Sequence, residues 1–560
     1  MDEHPDWAVA SNDLRNGFNS LSRAEMLQRV HDSPFAHMLP GIQALYCRSG
    51  RLFVNGSPLT STPRAANAAA SRLGLRAPSP AVGPDSDSAD SPMEYSSRDG
   101  CRQGDPHGPW LFALGIHATL LKVQEAYPDC HVFCYLDDAY IVGPPERAYE
   151  ALKMLQQLAR SECTLDTNLT KVDFYCPHAL HDVVPAGQTP TNLDFLDDNV
   201  RGSPSHKDGL IRGFKCLGAF IGQPDWTTAA LAKKLDAHLQ PLDTLLQLRD
   251  TDRHRVALQV QLLMLRWCVN SVPNYWARTM PPSVVEPAVR TAHRSRIDGA
   301  LERLLHFDGA TPRGRRATLQ AYLPLAMGGL GFTPLDAISP AAWAGSFASC
   351  WPVINAAIGD DCPDLAEPQA HRSDAANAPT LEPSTITDRS IAAGLQDILA
   401  AFSAALGGLA SAHSSGETPW LPAKVPTALP TACDIADATL SDPPRGVQSK
   451  LTDVYHLHSW KAMHDSLLTL ADDWDVADAD HTASSDREAA RFVSCSAPHA
   501  HHCWEAVPCF PSYSISSPQL LIATQRRLGL TLTCLTGVRR LPGSRLTDID
   551  PLGDVAQNSF

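Results

Sequence analysis

No Cys-x-x-Cys step occurs among the 15 cysteines, and their odd number and scattered spacing supply neither a disulfide framework nor a tetrahedral metal site. Free thiols in a reducing compartment are the expectation. No run of about 18 apolar residues is free of proline or polar breaks, so no helical membrane span is expected. The opening Met1-Asp2-Glu3-His4-Pro5 is acidic and polar and lacks the basic and apolar regions of a leader peptide. The chain therefore reads as soluble and intracellular. An overall excess of positive charge is missing as well, the formal net charge being -15. Polyphosphate partners are held chiefly by neutralising cations, so this balance argues against nucleic-acid binding unless basic residues are gathered locally. Residues 230–320 do gather them, with 14 Lys and Arg against 8 Asp and Glu, a net of +6.

Proline, by contrast, is abundant: 45 of 560 residues, above the usual ~5%. It concentrates with Ala, Ser, Thr and Asp in two stretches of little periodicity. Residues 61–97 read as a disordered insertion and 356–450 as a low-complexity linker, the latter with one helical pattern from Ile391 to Leu409. The length suffices for two or three domains.

The most informative stretch is His131-Val132-Phe133-Cys134-Tyr135-Leu136-Asp137-Asp138-Ala139-Tyr140-Ile141-Val142. Two short runs of β-branched and aromatic residues flank adjacent carboxylates, the pattern of a tight hairpin with Leu136 and Asp137 near its tip. Two like charges on a buried ribbon cost several kcal/mol unless a cation compensates them. A hard divalent ion with oxygen ligands, such as magnesium, fits that need. The plain alternative is turn chemistry, since Asp tolerates left-handed backbone and caps its own turn.

Tyr135-Leu136-Asp137-Asp138 resembles the Tyr-x-Asp-Asp box of reverse transcriptases, and its surroundings are similar to the non-LTR (LINE-type) retrotransposon group. Upstream, Arg102-Gln103-Gly104-Asp105-Pro106 resembles that family's Gln-Gly-Asp-Pro box, and Asn12-Asp13-Leu14-Arg15-Asn16-Gly17-Phe18 the box carrying a third carboxylate. Downstream, Leu169-Thr170-Lys171 and Gly213-Phe214-Lys215-Cys216-Leu217-Gly218 resemble two further boxes. The likeness covers residues 7 to 345 well.

That resemblance implies an α+β fold: a polymerase palm of antiparallel strands with packing helices, followed by a helical thumb. It implies RNA-directed DNA polymerase activity by two-metal nucleotidyl transfer to a primer 3'-OH, with Mg²⁺ as cofactor and an RNA template, a DNA primer and dNTPs as partners. Asp13, Asp137 and Asp138 would be catalytic and metal-binding. Phe18 would stand under the sugar and exclude a ribose 2'-OH, Gln103 and Gly104 would line the templating pair and incoming nucleotide, and Lys171 would assist the leaving pyrophosphate. Taken alone, Phe18 is equally an ordinary core aromatic, Gly104 part of a loop punctuated by breakers, and Lys171 a solvated surface residue.

Around these boxes the pattern is legible in outline. Trp7 to Asp13 reads as a strand ending on a carboxylate, and Ser22-Arg23-Ala24-Glu25 is a capping box opening a helix. Trp110 to Ala126 and Pro145 to Cys163 read as helices, and Leu210 to Gly222 as a hairpin. From Trp226 the period turns helical, with Leu231, Leu235, Leu239, Leu242, Leu245 and Leu246 on one stripe. Arginines 249, 253, 255, 266, 278, 290, 294 and 296 run through this region, as in a thumb whose basic side rests on a duplex backbone. His499, His501, His502, Cys503 and Cys509 invite a zinc hypothesis, though they form no tight ligand pair. The expected parts are thus 1–60, partial palm with the first carboxylate box; 61–97, insertion; 98–225, palm with the Asp-Asp hairpin; 226–345, thumb; 356–450, linker; 451–540, small C-terminal helical segment; 541–560, disordered tail.

Only 12 residues precede Asp13, whereas the family carries a fingers domain there, so the expectation is an N-terminally truncated reverse transcriptase. The alternative is a catalytically inactive retroelement remnant that at most binds nucleic acid.

Overall fold

In the computed structural model the described residues are 4–47, 50–54, 93–201, 212–247, 257–358, 391–414, 425–468, 481–505 and 515–532, save residues 5, 98, 103, 183, 185, 440, 498, 499, 501 and 531. The chain divides into two compact units, Met1–Gln223 and Pro224–Phe560. Helices predominate in both, and every strand pairing is antiparallel.

In the first unit β1 (Ala8–Asp13) is central and buried on both faces, Ala8 and Ala10 toward one and Val9 and Ser11 toward the other. Two further strands, β2 (Gly50–Val54) and β3 (Met93–Ser97), pair with each other and not with this sheet. β4 (His131–Tyr135) and β5 (Asp138–Gly143) form the anticipated hairpin, and β6 (Phe174–Tyr175) closes a four-stranded sheet in the order β4-β5-β1-β6. β7 (Gly213–Cys216) and β8 (Ala219–Gly222) make a separate ribbon. Its turn carries Leu217 and Gly218 at φ 48° and 95°, the paired left-handed geometry that matches the twist of flanking strands.

One face of the sheet is covered by the helix Pro145–Cys163, whose Ala148, Tyr149, Leu152 and Leu155 pack with Ala8, Ala10, Ala139 and Ile141. The period of 3.6 in that helix and of 2 in the strands brings these residues onto facing surfaces. A second cluster joins the helices Arg23–His31, Leu39–Tyr46 and Gly108–Ala126 through Met26, Val30, Tyr46, Leu111, Phe112 and Ile116. Half of the anticipated capping box forms: Ser22 Oγ accepts from the Glu25 amide at 3.3 Å, while the Ser22 amide donates to the Cys163 carbonyl and the Glu25 carboxylate pairs with Arg29. Gly115 allows Leu21 to seat against the Gly108–Ala126 helix, for a Cβ there would lie 2.8 Å from Leu21 Cδ2.

The second unit is helical. The leucine stripe of Pro224–Gln247 is buried as its spacing predicts, and Leu239, Leu242 and Leu245 share a core with Leu301, Leu304 and Leu305 of Ser295–Leu305. Two short π-helical segments, Leu265–Val269 and Arg290–Arg294, interrupt the helical runs.

Three expectations need correction. Residues 93–97, assigned to the disordered insertion, form β3, paired with β2 from Gly50↔Ser97 to Val54↔Met93. The assigned linker contains the helix Ile391–Ser414, extending the anticipated one, and the start of Val447–Leu468. Their Leu395, Leu399, Phe402, Leu451, Leu457 and Trp460 belong to one extensive core cluster, together with Ala341, Trp351 and Phe492. Alanine-rich composition there supplies closely packed helices, because small side chains permit near approach as well as low complexity. The segment Gly394–Ser414 is also long and apolar enough to cross a membrane by length and composition, but several of its apolar residues are core residues here. Thirdly, among the described residues four of these arginines are engaged with side chains of their own unit and are not a free basic face. Arg290 pairs with Glu286, Arg294 with Asp298 and Asp336, and Arg296 with Asp236 and Asp243, while Arg278 bonds Gln448. Arg249, Arg253 and Arg255 lie outside the described residues, as do residues 61–92 and the 541–560 tail.

Trp460 anchors the second unit. It is 1% exposed, stacks on His464 and Phe492 with centroids 5.3 Å away in both cases, and donates to Ser496 Oγ at 3.1 Å. Trp460→Ala should lower the stability of the Pro224–Phe560 unit by about 3–5 kcal/mol, with Trp460→Phe costing less. Denaturant titration followed by circular dichroism measures it, and a midpoint unchanged in Trp460→Ala would refute this placement of the core.

Candidate active site

The site is built on the register of β1 against β5. Their pairing runs from Ala8↔Gly143 to Asp13↔Asp138, so the last residue of one strand faces the first of the other. Side chains directly opposite in an antiparallel pair lie on the same face with Cβ atoms about 4.5–5.5 Å apart. The two carboxylates are therefore neighbours by construction. The β4–β5 register places Tyr135 opposite Asp138 and Phe133 opposite Tyr140, which puts them on that face too. Tyr135 and Phe133 are 62% and 57% exposed, a pair of open rings beside the acids.

Leu136 and Asp137 form the hairpin tip. Leu136 adopts φ 59°, a conformation that costs a Cβ-bearing residue about 1–2 kcal/mol. Cys134 Sγ lies 3.0 Å from the Leu136 carbonyl, and burial together with the charges of Asp137 and Asp138 pushes its thiol up to about 12. Gly17 abuts the tip from behind. A Cβ at Gly17 would meet Phe112 at 3.1 Å and Asp137 Cβ at 3.2 Å, so a side chain there requires the ring or the hairpin tip to give way slightly.

Asp13, Asp137 and Asp138 line one cavity of about 610 Å³, together with Ser11, Tyr140, Lys171 and Lys215. The carboxyl of Asp138 is raised above its ordinary range, first by burial and then by the negative charges of Asp137 and Asp13. Lys171 and Lys215 oppose that shift. Lys171 Nζ lies 3.1 Å from both oxygens of Asp13, and Asn168 Nδ2 donates to the same carboxylate at 3.3 Å. The main chain of Asp13 is pinned as well, its carbonyl accepting from the Asn168 amide at 2.8 Å. Tyr140 reaches across to the β7–β8 ribbon, its hydroxyl accepting from the Leu217 amide at 3.2 Å, and Phe214 packs near its ring.

The donor chemistry suits a hard divalent cation: all-oxygen, negatively charged and partly desolvated. Among the described residues, however, no three His, Cys, Asp or Glu side chains converge closely enough to form a ligand cluster. In this arrangement the Lys171 ammonium is the counter-ion of Asp13.

Of the other anticipated residues, Lys171 joins the carboxylates and Phe18 does not line their cavity. Phe18 is stacked on Phe112, with centroids 4.7 Å apart, at the margin of the first unit's helical core. Gly104 is exposed at φ 87°, and a Cβ added to it would meet nothing within 4 Å, so glycine is required there by backbone conformation rather than close approach. Gln103 lies outside the described residues, as do His499, His501 and Cys509 of the zinc hypothesis. The next residue in the Gln-Gly-Asp-Pro box has a definite role: Asp105 accepts from Tyr46 Oη at 2.5 Å, which ties this loop to the helix Leu39–Tyr46. Lys215, Tyr140 and Asn168 were not foreseen. The first two stand inside segments whose strand pattern was evident, yet only the sheet register for Tyr140 and the shared cavity for Lys215 reveal that they border the acids.

Residues 2–200 match the family model described as reverse transcriptase (RNA-dependent DNA polymerase). The retrotransposable element SLACS 132 kDa protein of Trypanosoma brucei gambiense is 27% identical over 141 residues, which is 25% of this chain and 9% of the relative. The match thus spans about a tenth of that relative's length. Among solved structures, telomerases from Candida albicans and Candida tropicalis, each in complex with a TWJ fragment of telomeric RNA, are similar at 12% identity. Their alignments cover 54% and 53% of this chain and 48% and 42% of theirs, with TM-scores of 0.20.

The raised pKa of Asp138 has a consequence for stability. Its protonated form favours the fold, a contribution complete below the ordinary carboxylate pKa and lost as pH rises through the raised value. Asp138→Asn is neutral at every pH, so it should be more resistant to denaturant than the native chain at pH 7, with the difference vanishing below about pH 4. Equal midpoints at pH 7 would show that the carboxylate carries no such penalty.

Proposed function

We propose that this chain, whose residues 2–200 carry a reverse transcriptase domain of retroelement type, is an RNA-directed DNA polymerase of the LINE-type group, acting inside the cell. In this reading the first unit is the palm and the helices from Pro224 onward begin the thumb. The substrates are dNTPs, added to the 3'-OH of a DNA primer on an RNA template. The observation that carries the proposal is the placement of Asp13 and Asp138 in register, with Asp137 on the same cavity and two lysines at its edge.

Phosphoryl transfer asks little covalent chemistry of a protein and much positioning and charge compensation. Asp13, Asp137 and Asp138 would hold the Mg²⁺ ions, with Asp138 the weaker ligand. The bound ions would lower the pKa of the primer hydroxyl and offset charge on the departing pyrophosphate. Asp13 must exchange its Lys171 contact for that role, which leaves the ammonium at the rim, placed to donate a proton to the leaving group. Tyr135 and Phe133 offer open rings on the carboxylate face for bases or sugars near the primer end. Lys215 supplies a second cation at the wall.

The absence of a converged ligand cluster among the described residues, and the Lys171–Asp13 pair, favour a second reading: a remnant that keeps the fold and at most binds nucleic acid. Primer extension on an RNA template separates the two. The native chain should extend with Mg²⁺, and Asp137→Asn or the Asp137→Asn, Asp138→Asn double variant should lose on the order of 10³-fold or more of the rate. A folded native chain no faster than the double variant would establish the remnant.

A further inference from the structure

A second candidate site lies within the Pro224–Phe560 unit. An open cleft of about 740 Å³ is lined by Arg266, Trp267, Ser271, His456, Glu505 and the loop from Pro324 to Thr333. That volume is within the range of small-molecule pockets and accommodates one nucleotide.

Trp267 stands at its mouth on the π-helical segment Leu265–Val269. Such single-turn interruptions re-aim side chains and are frequent at functional sites. Here the result is a tryptophan 51% exposed, with the Arg266 guanidinium 5.2 Å from its ring centre. Arg266 is itself fixed, bonding the Leu330 carbonyl at 3.4 Å, and packs against Gly331. An exposed indole backed by a held guanidinium is a stacking platform whose open area is flat and apolar.

An independent observation comes from His456. Its Nδ1 is buried without a hydrogen-bond partner among the described residues, although the side chain borders the cleft. An unpaired buried polar atom costs free energy, which a ligand recovers once a turn of the ring brings that nitrogen to the cleft surface. Burial also holds this imidazole neutral, its pKa lowered to about 4, so it offers a donor or an acceptor and no charge. Glu505 adds a carboxylate acceptor.

These features select among ligands. A phosphate would meet the Glu505 carboxylate and an uncharged imidazole, and the wall's arginine, Arg266, is already engaged with the Leu330 carbonyl, the Trp267 ring and the charge of Glu505, so the cleft is poorly suited to the backbone of a nucleic acid. A flat heterocycle with amino or imino hydrogens suits it well: stacked on an indole, donating to a carboxylate and pairing with an imidazole nitrogen. We propose that this cleft binds a single unpaired nucleobase of single-stranded nucleic acid, stacked on Trp267 and read on its edge by His456 and Glu505. The inference rests on the nucleic-acid reading above and adds a recognition site remote in sequence from the carboxylates. It also accounts for the paired arginines of this unit, since recognition by stacking needs no free basic face.

The test uses the full chain and 12-nucleotide single strands of RNA and of DNA, carrying 5-iodouracil for photo-crosslinking and a fluorophore for anisotropy, with blunt duplexes as comparison. Crosslinks should map to the peptide containing Trp267. Trp267→Ala, at an exposed position where folding is preserved and checked by circular dichroism, should weaken single-strand binding roughly 5- to 100-fold and leave duplex binding unchanged. Trp267→Phe should restore most of the affinity, and the RNA and DNA arms identify the physiological strand. Unchanged single-strand affinity in Trp267→Ala, crosslinks confined to other peptides, or no single-strand binding at all overturns the proposal. Primer extension is scored separately: a chain that fails to extend but loses single-strand binding with Trp267 retains this site and loses the polymerase reading, whereas extension without any Trp267 effect does the reverse.

Discussion

The antiparallel register between β1 and β5 is the constraint on which the rest of the first unit depends. It sets Asp13 against Asp138, and a slip by one residue would turn the Asp13 carboxylate to the helix-covered face. Everything nearby reinforces that one alignment. Ala8, Ala10, Ala139 and Ile141 are apolar and small enough to seat the Pro145–Cys163 helix beneath it. β6 and the Asn168 amide hold the strand's outer edge, and Gly17 lets the hairpin tip approach from the end. Like charges are thus forced together by apolar packing, with Lys171 as the counter-ion of Asp13 and the remaining cost expressed in the raised carboxyl pKa of Asp138.

Local sequence was informative where the physics is local. The hairpin was legible because its period-2 pattern and two-residue tip lie within 12 consecutive residues, and the Ser22 N-cap because it reaches only three residues along the chain. The leucine stripe of Pro224–Gln247 follows from helical spacing alone. What sequence could not supply is which cation faces which acid. Lys171 and Asp13 are 158 residues apart, and only the tertiary arrangement turns a surface lysine into the counter-ion of a carboxylate. Phe18 shows the converse. Its position in the first box suggested a place by the substrate, while its ring finds a better apolar partner in Phe112.

Composition misled in the second unit for a physical reason. Runs of alanine, serine and proline offer few large apolar side chains and so resemble a linker, yet alanine is also the strongest helix former and gives helices that pack closely. The core around Trp460 and Phe492 uses large residues at helical spacing, Leu451, Val454, Leu457 and Trp460 on one helix and Leu395, Leu399 and Phe402 on another, and what the region's composition concealed is that these stripes meet. Net charge was similarly coarse. Three of the arginines in residues 230–320, Arg290, Arg294 and Arg296, are engaged in ion pairs, so part of that local basic charge holds the unit together and the sign of the span alone does not say what it attracts.

Leu136, at the tip of the β4–β5 hairpin, has a further consequence. A residue with a branched side chain in the left-handed region is costlier to hold there than glycine, but it also has far fewer other conformations to visit. The peptide that carries Asp137 is therefore confined before any ligand arrives. Less freedom remains to be surrendered on binding, so the cost of the left-handed turn in folding reappears as a smaller entropic penalty when the carboxylates are engaged.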